Sequence, residues 1–104
     1  MQRIPKPIAA FIAATNAHDL EAMLAPFADD AVVLDESREW KGRAAIREWI
    51  AETTSKYRHT IEVLRVDGDV ILGRVAGTFP GSPIELRHIV VLVDDRIARL
   101  EIRP

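Results

Sequence analysis

An α+β fold is predicted, with helices covering one face of a curved antiparallel sheet. Three observations predict it. Apolar residues recur at helical spacing through the first half of the chain; β-branched runs replace that pattern from Thr60 onward; and turn residues divide those runs into consecutive hairpins. Helices and strands segregated in this way pack as two layers around one core.

Pro7 suits a helix start, having no N–H to leave unpaired and a helical φ. Ile8, Phe11 and Ile12 then fall at i, i+3 and i+4, and Thr15 continues that face. Asn16-Ala17-His18 reads as the exit, since Asn tolerates the left-handed conformation. Asp19 is the expected N-cap of a second helix carrying Leu20, Met23, Leu24 and Phe27, which Pro26 must end within a turn. Ala31–Leu34 is a short β run, followed by Asp35-Glu36-Ser37 as a loop. Trp40-Lys41-Gly42 leads into a third helix with the stripe Ile46, Trp49, Ile50 and Thr53.

Four strands follow, Thr60–Val66, Val70–Phe79, Ile84–Val93 and Ile97–Ile102. Asp67-Gly68 is a tight-hairpin signal, and Pro80-Gly81-Ser82-Pro83 and Asp94-Asp95 mark the next two reversals. The expected order is therefore helix, helix, strand, helix and a four-stranded meander. Ile89–Val93 is apolar at every position, so both of its faces call for burial. Helices can cover only one side in so small a chain. A homodimer through the outer sheet face is the expected cover for the other.

Length and composition bound the function. The 104 residues make one domain, with a radius of gyration of about 13 Å if compact. The 48% hydrophobic content and net charge of −2 exclude a disordered chain. With 14 Lys+Arg against 16 Asp+Glu there is no basic field for a phosphate backbone, so nucleic acid is not an expected partner. Zero cysteines exclude disulfides and thiolate metal sites. No apolar run reaches the roughly 18 to 20 residues of a membrane span, and no membrane partner is expected. Arg3 and Lys6 before Ile8–Ala14 could suggest a secretory signal. Pro5, Pro7 and the short run argue for a first helix instead, so a cytoplasmic location is expected.

Three segments carry a family resemblance. The stretch from Phe11 to Leu20 (FIAATNAHDL) resembles the junction of the first two helices in the SnoaL-like group of the nuclear transport factor 2-like superfamily. The stretch from Phe27 to Asp35 (FADDAVVLD) resembles its entry to the first strand. The stretch from Trp40 to Trp49 (WKGRAAIREW) resembles its third helix, where a glycine four residues before an isoleucine is usual, here Gly42 and Ile46. With the closing meander, the resemblance covers nearly the whole chain. It implies a cone-shaped half-barrel in ααβαββββ order with an apolar pocket between sheet and helices. Activity does not follow, because the superfamily hosts isomerases, dehydratases, cyclases, epoxide hydrolases and non-catalytic binding or dimerisation modules.

Asp35 matches the general base of the superfamily's ketosteroid isomerases. A carboxylate at the edge of an apolar pocket is made more basic by desolvation and can take a proton beside a carbonyl. The competing reading is a solvated loop. The isomerase pattern also needs a Tyr and a protonated Asp as oxyanion donors. By resemblance those positions fall on Phe11 and Arg87, so both donors are replaced and a steroid isomerase is not expected.

Arg87 facing Asp35 would depress the carboxyl's pKa. It could act with a second carboxylate, Glu85 or Glu101, as in the superfamily's epoxide hydrolases, or clamp an acidic ligand. A surface or interface ion pair is the plainer role. His88 paired with Asp35 resembles the superfamily's His–Asp dehydratases and cyclases. Strand alternation puts Arg87 and His88 on opposite faces, so only one of them can enter the pocket.

Phe11 and Trp49 sit on helical stripes and read as core that could also touch a ligand; with Tyr57 and Phe79 they are the expected wall for a small apolar or aromatic metabolite, and Tyr57 could supply the missing hydroxyl. Trp40, after the loop bearing Asp35, is the expected lid. His18 and His59 read as capping or surface residues. No ligand spacing suggests a metal and no Gly-rich phosphate loop suggests a nucleotide, so no cofactor is expected. Two readings stand: a cofactor-independent isomerase, lyase or hydrolase using Asp35 with Arg87 or His88, and a non-catalytic ligand-binding or dimerisation module.

Overall fold

The computed structural model describes residues 3–104. Its elements are α1 (Lys6–Ala17), α2 (Leu20–Leu24), β1 (Phe27–Asp35), β2 (Arg38–Lys41), α3 (Gly42–Tyr57), β3 (Thr60–Asp67), β4 (Val70–Ala76), β5 (Ile84–Val93) and β6 (Arg96–Arg103). Three helices pack on one open six-stranded sheet of order β2-β1-β6-β5-β4-β3. The radius of gyration is 12.5 Å.

Two features correct the expected topology. The sheet is mixed rather than antiparallel, because β1 runs parallel to β6 while every other pair is antiparallel. A short strand, β2, also stands where a loop was expected. Glu36 and Ser37 both adopt positive φ, 53° and 62°, and Asp35 pairs directly with Arg38. Two left-handed residues make the primed turn that matches strand twist. Asp94 and Asp95 do the same between β5 and β6, with φ of 51° and 62°.

At the α1–α2 junction the left-handed residue is His18, at φ 55°, rather than Asn16, and the Asp19 carboxylate caps α2 by accepting from Ala22 N–H at 3.1 Å. Ile8, Phe11 and Thr15 of α1 and Ile46, Trp49, Ile50 and Thr53 of α3 are buried, as their spacing requires. They meet Phe27, Ala31 and Val33 of β1 and Ile97 and Leu100 of β6 in a single core. Phe11 lies edge-on to Phe27, with ring centroids 5.5 Å apart. No helix among the described residues is long and apolar enough to cross a membrane.

Among the described residues, no helix covers the opposite, convex face of the sheet. Val91 and Val93 of β5 are 45% and 53% exposed there. Beside them, Glu101 pairs with Arg99 and Arg103, each at 3.6 Å.

Candidate functional site

The sheet's concave face and the helices enclose a cavity of about 280 Å³. Its walls are mostly apolar: Phe11 from α1, Trp49 from α3, Ile61 from β3, Val75 from β4, Leu86 from β5 and Ile102 from β6. Phe79, from the β4–β5 loop, and Ile84 close one side. Asp35, Glu36, Thr53, Tyr57 and His59 bring polar side chains to this lining.

Asp35 reaches the cavity because it ends the inward-facing series Ala31, Val33, Asp35 of β1. Its Oδ2 accepts a hydrogen bond from Trp49 Nε1–H at 3.0 Å. The Trp49 ring stacks on Phe11, with centroids 6.2 Å apart and planes 11° from parallel. Burial pushes the Asp35 carboxyl above its ordinary pKa of 3.8; the Trp49 bond opposes that shift, and the neighbouring Glu36 carboxylate adds to it. At the rim, Tyr57 O–H donates to Glu36 Oε1 at 2.8 Å, and the Tyr57 ring meets Phe79 edge-on at 5.7 Å. The hydroxyl of Thr53 is turned back into its own helix, donating to the Trp49 carbonyl at 2.8 Å.

The structure thus brings Asp35, Phe11, Trp49, Tyr57 and Phe79 together, and places the remaining candidates elsewhere. Arg87 is on the convex face, exposed, with its guanidinium donating to the Pro104 carbonyl at 2.9 and 3.1 Å. It does not face Asp35, because Ile84, Leu86, His88 and Val90 form the inward set of β5. Glu85 shares Arg87's exposed parity, and Glu101 serves the convex ion pairs.

His88 does point inward, yet it lies behind the cavity wall rather than in it. It is 4% exposed, and its Nδ1–H donates to the Ile71 carbonyl at 3.3 Å. Desolvation holds its pKa below the ordinary 6.5. Gly73 makes the room: a Cβ there would sit 3.2 Å from the His88 ring and 3.0 Å from Ile61. Trp40 is buried on β2 beneath the Arg38 guanidinium, 3.9 Å from its ring centroid, and does not line the cavity.

His59, expected as a cap or at the surface, lines the cavity instead. It follows Arg58, which leaves α3 in the left-handed region at φ 45°. His18 Nε2–H donates to its carbonyl at 3.0 Å. Burial lowers the His59 pKa from 6.5, and the nearby His18 and His88 lower it further. Among the described residues, no group of three or more His, Asp or Glu is gathered as a metal site.

Fold and cavity together define the nuclear transport factor 2-like class of α+β domains. The chain belongs to the SnoaL-like domain family, whose model matches residues 8–100. Among solved structures it is similar to a Sinorhizobium meliloti protein named as a candidate polyketide cyclase. The two share 36% identity over 96% of this chain and 95% of the other, with a TM-score of 0.90. A Catenulispora acidiphila protein of ketosteroid isomerase-like fold, solved with trimethylamine, shares the fold at 22% identity and a TM-score of 0.75, over 98% and 87% of the two chains. A candidate polyketide cyclase from Xanthomonas campestris matches at 22% identity and 0.69, over 92% and 85%. No curated protein matches the chain.

Proposed function

We propose that this chain binds a small, mostly apolar molecule in the cavity and that Asp35 transfers a proton on it without a cofactor. One observation carries the reading: the Asp35 carboxyl lines an apolar cavity, held by Trp49 Nε1–H and made more basic by burial. Fixed orientation and raised basicity are what a general base for a C–H beside a carbonyl requires. The cavity volume lies at the small end for ligand sites, which suits a one- or two-ring molecule. Isomerases, lyases and cyclases that pass through an enol all begin with this step. The similarity to proteins named as candidate polyketide cyclases supports that group.

The alternative is a non-catalytic binding module. Its supporting observation is Phe11, which stacks on Trp49 where a hydroxyl donor stands in the steroid isomerases. A second copy of the chain on the convex face is the proposed partner, covering Val91 and Val93 and pairing the mixed charges beside them.

Deuterium exchange separates enzyme from module. Small aryl ketones incubated with the protein in D₂O are followed by loss of the α-proton NMR signal. Exchange is expected to be at least about a hundredfold faster with the unmodified chain than with Asp35→Asn. Equal rates would sink the Asp35 role.

A further inference from the structure

The backbone at His59 is held from several directions. His18 donates to its carbonyl, Asn16 brackets Ile61 by bonding both its N–H (2.7 Å) and its carbonyl (3.0 Å), and Gly77 packs against it. A Cβ on Gly77 would lie 3.2 Å from the His59 Cα. Such a support fixes the backbone from which the ring projects, as a preorganised polar group requires.

The two ring nitrogens are not equivalent. Nδ1 is sealed from solvent and, among the described residues, is the buried side-chain nitrogen or oxygen with no hydrogen-bond partner. Among the described residues Nε2 has no hydrogen-bond partner either, but it is not one of the sealed atoms. An orphaned lone pair is better tolerated in a protein interior than an orphaned N–H. The proton of the neutral ring therefore belongs on Nε2, the nitrogen that remains accessible in a residue lining the cavity. With its pKa lowered, the ring is neutral at pH 7, so it offers one donor and no net charge.

We propose that His59 is the oxyanion donor of this cavity, its Nε2–H bonding the carbonyl oxygen of a small ketone whose adjacent C–H meets Asp35. This rests on the reading of Asp35 as proton acceptor. The Asp35 carboxylate takes the α-proton, the C–H electron pair becomes the new C=C bond, and the carbonyl π pair moves onto oxygen. That enolate oxygen accepts a stronger hydrogen bond from Nε2–H, and His59 keeps its proton throughout. Returning the proton from Asp35 to carbon closes the cycle with no other reactant. His59 thereby fills a role that Phe11, lacking a donor, and Arg87, on the other face of the sheet, cannot fill, and for which the Tyr57 hydroxyl is already committed to Glu36.

Two measurements test it. Long-range ¹H–¹⁵N correlation on histidine-labelled protein at pH 7 is expected to show His59 as the Nε2–H tautomer; the Nδ1–H pattern overturns the proposal. This needs no variant, so it decides even if a substitution fails to fold. Binding of acetophenone and of isopropylbenzene, its near-isostere without the carbonyl, is then followed by NMR titration. His59→Leu is expected to cut the preference for acetophenone about fivefold, and His59→Gln, which keeps an N–H donor, to retain most of it. An unchanged preference in His59→Leu overturns the donor role and leaves the Asp35 reading standing. A preference that depends on His59, without any α-proton exchange, supports the donor and sinks the Asp35 reading. If neither probe binds the unmodified chain, both proposals fall.

Discussion

Trp49 Nε1–H donates to Asp35 Oδ2 at 3.0 Å, tying the middle of α3 to the last residue of β1. The bond restrains a carboxyl that burial would otherwise drive towards its protonated form. A carboxyl whose folded pKa lies above its unfolded value binds its proton more tightly in the folded state. Its favourable share of stability is therefore present at low pH and is lost as pH rises from the unfolded value through the raised folded one.

Asp35→Asn removes that titration. The variant is expected to melt a few degrees above the unmodified chain at pH 8, where Asp35 is ionised, and to match it at pH 4 or below. Thermal denaturation at the two pH values checks this. A lower melting temperature at pH 8 would mean that the ionised carboxylate is a structural partner.

Trp49→Phe keeps an aromatic ring against Phe11 and removes the N–H. The loss is expected to be about 2 kcal/mol, from a bond to a charged acceptor and a smaller buried ring. The Asp35 pKa should rise further. Urea denaturation and a carboxyl NMR titration of the variant measure the two effects.

Gly77→Ala tests the support of the cavity's polar end. An added Cβ would meet the Tyr57 carbonyl at 2.5 Å, and that carbonyl also accepts from Thr78 N–H at 2.7 Å. The backbone must move, at a cost of about 1–3 kcal/mol. Because Tyr57 and His59 flank this contact, ligand affinity is expected to fall together with stability. Urea denaturation gives the first and NMR titration with acetophenone the second.

How much of this was legible in the sequence depended on whether the signal was local. Ile84–Val93 matches β5 residue for residue, and the Asp19 cap and the α3 stripe stand as their side chains require. β2 was hidden because Glu36 and Ser37 are poor advertisements for a left-handed turn; sheet pairing imposes the conformation. The parallel pairing of β1 with β6 joins residues more than sixty positions apart, for which no local pattern exists. The choice between Arg87 and His88 was open because Ile89–Val93 is apolar throughout and shows no alternation to count from. His59 carried a usable signal: it sits two residues before the inward-facing Ile61, so strand parity alone would have placed it on the cavity side.

Val91→Lys places a charge in the middle of the convex apolar patch. If a second copy covers that patch, light scattering at micromolar concentration is expected to give a dimer for the unmodified chain and a monomer for the variant. A monomeric unmodified chain would remove the proposed partner.

Everything proposed for the cavity requires Asp35 to be a desolvated, basic carboxyl among apolar walls. A ¹³C-carboxyl NMR titration of Asp35 in the ligand-free protein tests it most directly. A midpoint clearly above the ordinary 3.8 is expected, moving higher still in Trp49→Phe. A midpoint at or below 3.8 would describe a solvated or charge-paired carboxylate and would contradict it.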